Sequence, residues 1–417
     1  MVFFAGLLIV KGIVPAWNTV NSDFANYYVS AKLIADKVPL ENLYDNDWFQ
    51  NKIKEYGIET PGKFSPFPPI TAWLMISLTP LGPLSAQRVF TLVNLFFIVL
   101  GVAALKKLTS WTTLQNTVLV LSCGLSLTNN VAFGQVYLIM TVFILISFLM
   151  AERNYLFMAG CLLGFFTALK YFPIVIIAGF FLNGVLDVYQ KEKPLKRVMT
   201  NPDLKVVLYS MSIFMALLLF QYLYFGRIVM SEFINSSFLP HLDGELKGQG
   251  LFSYQFQSWD NFFRNLFVYD EQFKPHPFID WPAGKLILKI AIGFVILILT
   301  VLVLHRFKSS STSVRRPIFL SLPALAALVF LPASATYHFV LLISSLILML
   351  SKPYLPKKIR VIVLINYSVI GLLPYSLFFS LAKSYGLLFA YPRLWLMSCL
   401  FILVVVGLLK NHRLPQT

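Results

Sequence analysis

The chain has 417 residues, of which 58% are hydrophobic and only 12% charged, and its mean hydropathy is +0.73. Soluble globular domains carry about 25% charged residues, so a soluble protein is excluded and the polypeptide is built for lipid. The formal charge of +16, from 34 Lys and Arg against 18 Asp and Glu, points to membrane orientation rather than to nucleic acid, because short cytoplasmic loops collect Lys and Arg. Part of the excess is available to anionic lipid or a phosphate ligand.

Val2–Trp17 reads as a retained first span, since no small-residue cleavage site follows it. An outer loop over 18–64 comes next. Its "SDFANYYVSAKLIAD" predicts a helix capped by Ser22 or Asp23, and its "DND" at Asp45–Asp47 is a good helix start rather than a metal motif. Pro66–Leu84 opens on "FPPI" and closes on "PLGPLS", which predicts a broken or re-entrant segment that crosses only in part. The alternative is that Leu114–Leu127 fails to cross. Apolar runs then recur to the end, among them Lys285–Leu304, Ile318–Leu331, Phe339–Leu350 and Leu394–Leu409. They run continuously apolar rather than alternating, which excludes a β-barrel.

The basic clusters Lys106–Lys107, Arg153, Lys191–Arg197, His305–Arg316, Lys352–Arg360 and Lys410–Arg413 are expected on the cytoplasmic side. Gly134–Gln135, Lys170, a large loop over 226–282, Ser334–His338 and Lys383–Arg393 then share the outer side. The expectation is an all-α polytopic membrane protein with about twelve spans, forming one integral membrane domain over 1–417. Cys123, Cys161 and Cys399 lie apart inside apolar runs and read as small hydrophobes.

Several polar residues on the outer side admit two readings each. Asp23 is a helix cap or, in a partly desolvated setting, a proton acceptor. Lys170, flanked by "GFFTAL" and "YFPIVIIAGFF", is a lysine reaching toward headgroups or a functional cation. His338 is structural or a hydrogen-bond donor to phosphate in either tautomer. Arg264 pairs with Asp260 one turn earlier, or clamps a phosphate. Gln135 caps a span, or with Gln257 meets sugar hydroxyls or the phosphate. Tyr27 and Tyr28 anchor the interface or stack on a sugar. No Gly-rich phosphate loop, Cys/His cluster or Ser/His/Asp constellation stands out, so no metal site and no covalent enzyme intermediate are expected.

The ordered stretches "DFANYY", "FSPFPPI", "FGQVYLIM", "AGCLLGFFTALKYFP", "QSWDNFFR" and "ATYHFVLL" together resemble glycosyltransferase family 87 over residues 20 to 350. Two departures are visible. Tyr171 and Phe172 separate Lys170 from Pro173, and Ala335-Thr336-Tyr337 stands where a tryptophan is expected before His338. The resemblance implies the GT-C fold and an inverting transfer of one sugar, mannose by default, from a polyprenyl-phosphate donor to a glycolipid or glycan acceptor. It further implies Asp23 as base, Lys170, His338 and Arg264 on the donor phosphate, and Gln135, Gln257, Tyr27 and Tyr28 near sugar and acceptor. The lipid-linked sugar is then substrate and no cofactor is needed; "FSPFPPI" lines an opening for the prenyl tail. The implied location is the inner (plasma) membrane, with the site on the outer or periplasmic side and no nucleic-acid partner. The rival readings are a transporter or flippase of an anionic or glycosylated lipid, which would place polar residues on both faces, and a structural subunit of an envelope assembly complex.

Overall fold

The computed structural model describes residues 1–190, 198–245, 250–274, 276–382 and 384–410. The basic run 191–197, Lys383 and residues 411–413 therefore lie outside the described residues. Among those described the chain is helical with no β-strand; one isolated bridge joins Asp270 and Lys274.

The N-terminal helix α1 (Val2–Leu8) runs through a π-turn at Ile9–Ile13 into α2 (Val14–Asn18). Extended residues at Thr19 and Asn21 then turn the chain into α3 (Ser22–Ala35). Neither expected cap holds: Asn21 occupies the capping position with no side-chain cap bond, its amide donating instead to Ala132 O at 2.6 Å. Asp23 is thereby left free in the first turn. Asp45 does start α4 (Asn46–Glu55), its Oδ1 accepting from Asp47 N and Trp48 N.

Residues 66–84 form no span. Pro68 and Pro69 lack the N–H groups that would propagate a helix, and the segment makes only short 3₁₀ turns at Pro69–Trp73 and Ile76–Leu78. The buried Ile70 N–H is satisfied from outside by Gln221 Oε1 at 3.2 Å. The chain then enters α5 (Pro83–Leu108). Residues 114–127 are also broken, into α6 (Thr113–Leu121) and the start of α7 (Leu125–Ala132).

Helix α7 meets α8 (Tyr137–Glu152) at a bend of 114°. Gly134 makes that bend with φ +67, and a Cβ there would sit 2.7 Å from Phe24 Cβ, so only glycine lets α3 pack into the corner. After α9 (Leu156–Leu169) and α10 (Pro173–Tyr189), α11 (Pro202–Glu232) breaks at Gly226, φ +77, yet helical structure resumes and ends in α12 (Leu239–Leu242). The beginning of the expected 226–282 loop is therefore helical. It continues through α13 (Trp259–Phe267), α14 (Pro282–Arg306), α15 (Thr312–Phe330), α16 (Leu342–Leu350), α17 (Lys357–Leu372) and α18 (Pro392–Lys410).

Among the described residues six helical segments have the length and apolarity to cross a membrane, or eight if the two bent pairs each count as one. Four further apolar helices are of 10–17 residues, so the expected dozen spans is not reached by full-length helices.

Hydrogen bonds divide the bundle into two ends. At one, Ser110 Oγ donates to Ser351 O at 3.5 Å, Tyr354 Oη to Ser313 O at 3.3 Å and Gln190 Nε2 to Lys308 O. Arg315, 1% exposed, ties Asn183, Asp187, Gln190 and Lys308 together there. This end gathers the basic clusters. At the other, Ser65 Oγ meets Ser237 Oγ at 2.9 Å, Ser258 Oγ donates to Pro332 O at 2.6 Å and Arg393 Nη1 to Thr336 Oγ1 at 2.8 Å.

The two ends predict a topology. In a cysteine-free background, Lys54→Cys and Lys358→Cys should react with an impermeant maleimide from opposite sides of sealed vesicles. Labelling of both from one side would contradict the division.

Candidate functional site

At the end away from the basic clusters lies a cavity of about 330 Å³. Helix α3 contributes Asp23 and Asn26, and the segment leading to the 3₁₀ turns contributes Lys63, Ser65 and Phe67. The α7–α8 bend adds Tyr137, the α9–α10 junction Lys170, α12 His241, and the 3₁₀ turn before α16 Tyr337 and His338. Residues more than three hundred positions apart thus share one chamber.

Lys170 is 8% exposed and does not reach outward to headgroups. Its Nζ stands 3.9 Å from the centre of the Phe67 ring, 5.1 Å from Tyr137 and 5.6 Å from Tyr27. The aromatic faces supply cation–π attraction, but Lys170 Nζ makes no hydrogen bond or ion pair among the described residues. A buried ammonium in that state favours an anion beside it. Lys63, on the loop before the 3₁₀ turns, is a second cation; burial lowers its pKa to about 8 while Asp23 pulls it up.

His338 Nδ1 accepts from Ala335 N at 2.9 Å, and Nε2 meets Tyr137 Oη at 2.8 Å. An Nδ1 that accepts carries no proton, so the ring is neutral and Nε2–H donates to the tyrosine oxygen. Both nitrogens are committed, which corrects the expectation that His338 itself donates to a phosphate. It positions Tyr137 instead, whose own hydroxyl hydrogen has no acceptor among the described residues and is available to a substrate oxygen.

Gln135 is fully buried, with Oε1 accepting from Tyr27 Oη at 2.9 Å and Nε2 facing Asp23 without a hydrogen-bond partner. Tyr27 stacks on Phe67 with centroids 4.7 Å apart. The pair forms a wall behind Asp23 rather than a sugar platform.

Three expected site residues are elsewhere. Arg264 does not line the cavity: it pairs with Glu245 at 3.3 Å and Asp260 at 3.7 Å and donates to Asp243 O. Gln257 Nε2 is spent on Tyr254 O and Ala390 O, and its Oε1 on Arg393 N. Tyr28 Oη donates to Leu81 O at 2.6 Å. All three hold the loops that frame the chamber. The neighbouring Gln255 and Phe256 reach it instead.

A second cavity, of about 360 Å³, adjoins the first and shares Pro66, Phe67, Tyr137, Lys170, His241 and His338 with it. Its remaining walls are almost wholly apolar and include Pro68, Phe172, Val175, Phe330 and Leu341. The two spaces form a polar chamber opening into a greasy groove, with Lys170 and the buried, unpartnered His241 Nδ1 at the junction.

Such an arrangement, a polytopic helical bundle with one carboxylate and two lysines beside an apolar groove, suits a membrane-embedded transferase. The glycosyltransferase family 87 model matches residues 66–332, more than half of the chain. The chain belongs to glycosyltransferase family 87 and is a membrane glycosyltransferase. None of the curated proteins matches it. The family match begins after Asp23 and ends before His338, so the placement of these two rests on the geometry above.

A lysine titrating near pH 8 sets a pH dependence. Lys63 is charged below that value and loses its charge above it, so its attraction for an anionic substrate falls as pH rises through about 8. The KM for an anionic donor should therefore climb between pH 8 and pH 9.5, and Lys63→Arg should flatten the climb. An identical climb in Lys63→Arg would assign it to another group.

Proposed function

We propose that the enzyme transfers one sugar, mannose by default, from a polyprenyl-phosphate donor to a glycolipid or glycan hydroxyl, by single displacement with inversion. The observation that carries this reading is the continuity of the Asp23 chamber with the apolar groove through Lys170 and His241. A donor of this class has a charged head and a hydrocarbon tail. The groove suits the tail and the junction suits the phosphate.

In the proposed reaction Asp23 takes the proton from the acceptor hydroxyl as that oxygen attacks the anomeric carbon. The bond from that carbon to the phosphate oxygen breaks, and polyprenyl phosphate leaves with the electron pair. Lys170 and the Tyr137 hydroxyl, aimed by His338, stabilise the charge gathering on the phosphate; fixed donors in a water-poor site are effective there because they need no reorganisation. Gln135 Nε2 faces Asp23 from the chamber wall.

The chamber is expected to face the outer side of the plasma membrane, because the basic clusters gather at the opposite end. Asp23, Lys63 and Lys170 all line the chamber at one end. An alternating-access transporter would present binding groups to both faces, and the family membership also favours the transferase.

Asp23→Asn keeps the shape of the side chain and removes its basicity. Transfer from a radiolabelled polyprenyl-phosphate sugar should fall by about 10²–10⁴-fold, with donor binding within a few-fold of the parent. Normal turnover in this variant would remove Asp23 from the chemistry. Tyr137→Phe should cost on the order of tenfold or more in kcat with little change in KM; an unchanged kcat would leave His338 and Tyr137 a purely structural pair.

A further inference from the structure

At the basic end, far from the chamber, a groove of about 530 Å³ runs between α6 and α17 and is closed on one side by Phe4 of α1. Its floor is apolar, from Leu114, Val118, Leu119 and Leu364, and its mouth carries Trp111 and Arg360. Leu114, Val361 and Ile365 beside it are exposed apolar side chains, so the groove opens toward the region where acyl chains lie.

The charge at its mouth is one-sided. Arg360 lines it and Lys106 Nζ reaches Trp111 O at 3.2 Å, and the segments 1–8, 106–122 and 352–368 that build it also carry Lys107, Lys352, Lys357 and Lys358 but no Asp or Glu. Lys357, Lys358 and Arg360 moreover stand in the first turn of α17. That is the positive end of the helix dipole, where cations are destabilising and anions are held. Helix α6 also begins here, its capping box using Thr112 and Gln115. Two helix N-termini and several cations therefore belong to segments that carry no carboxylate of their own.

Arg360 supplies an independent sign of a ligand. Its Nη2 donates to Lys352 O at 3.2 Å and Leu355 O at 3.4 Å, which fixes the guanidinium at the mouth. Nε is buried without a partner, and Nη1 makes no hydrogen bond among the described residues. Trp111 lies beside it, its carbonyl held by Lys106 Nζ at 3.2 Å. An indole next to cations at this depth matches a membrane headgroup layer.

We propose that this groove is a binding site for an anionic glycerophospholipid, with the headgroup phosphate on Arg360 and the α17 N-terminus and one acyl chain along Val118 and Leu364. The site is distinct from the substrate chamber and does not depend on the donor or acceptor assigned above. A zwitterionic lipid of the same length fills the groove equally but does not offset the cations.

The test is retention of lipid by the full-length protein. It is reconstituted into vesicles of equal parts phosphatidylglycerol and phosphatidylcholine, extracted in mild detergent and examined by native mass spectrometry. One phosphatidylglycerol should be retained per chain in preference to phosphatidylcholine. Each cation near an anionic surface is worth about fivefold in affinity. The triple variant Lys357→Gln, Lys358→Gln, Arg360→Gln should accordingly bind on the order of a hundredfold more weakly. Because Arg360 also grips a turn, Val118→Trp provides a second arm: it fills the groove without changing charge and should likewise release the lipid. Equal retention of both lipids, or wild-type retention of phosphatidylglycerol by either folded variant, would overturn the proposal.

Discussion

Burying an ammonium group inside a hydrocarbon-facing bundle is costly unless an anion meets it, and Lys170 is such a group. Its Nζ is enclosed by Phe67, Tyr137 and Tyr27, whose ring faces offset only part of the lost hydration. Much of the surrounding architecture follows from holding that cation in place. Pro66–Pro69 deny the chain a helix and so bring Phe67 under the lysine. Gly134 bends the α7–α8 pair so that Gln135 and Tyr137 approach from the other side.

Asp23 occupies the same chamber without neutralising Lys170 directly, because no carboxylate oxygen lies within the 4.0 Å of an ion pair. A tight pair would tie up both groups. In the proposed reaction their separation leaves Asp23 to act on the acceptor and Lys170 to meet the phosphate. His338 adds no charge; its two committed nitrogens orient a tyrosine hydroxyl. The adjoining groove is apolar where a chain would lie and polar only at the shared junction.

Much of this was legible in the sequence. Continuous apolar runs revealed the membrane class, and Lys and Arg clustering separated the two ends of the bundle. Asp23, Lys170 and His338 stood out because polar residues amid apolar ones are expensive. What the pattern could not convey was side-chain direction. Arg264 lies in the same connecting segment as Gln255, but the carboxylates of Glu245 and Asp260 and the backbone carbonyl of Asp243 draw it away from the chamber. Gln257, two residues beyond Gln255, turns toward Ala390. Tyr137 was hidden in "FGQVYLIM" as an ordinary interfacial aromatic, and Lys63 directly precedes "FSPFPPI" without apolar flanks to mark it. His241 was masked by reading 226–282 as loop, since the helix resumes beyond Gly226 and carries it inward. Proline-broken and bent segments match full helices in hydropathy but not in length, so among the described residues six to eight helices are long enough to cross and four apolar ones are shorter.

The central claim is that one chamber brings Asp23 and Lys170 to the same lipid-linked substrate. A cryo-EM structure with a non-transferable polyprenyl-phosphate sugar analogue would examine it most directly. The account predicts phosphate density within hydrogen-bonding reach of Lys170 Nζ and Tyr137 Oη, the sugar turned toward Asp23, and the prenyl tail passing Phe172 and Phe330. Donor density at the basic end of the bundle, with the chamber filled only by solvent, would contradict it.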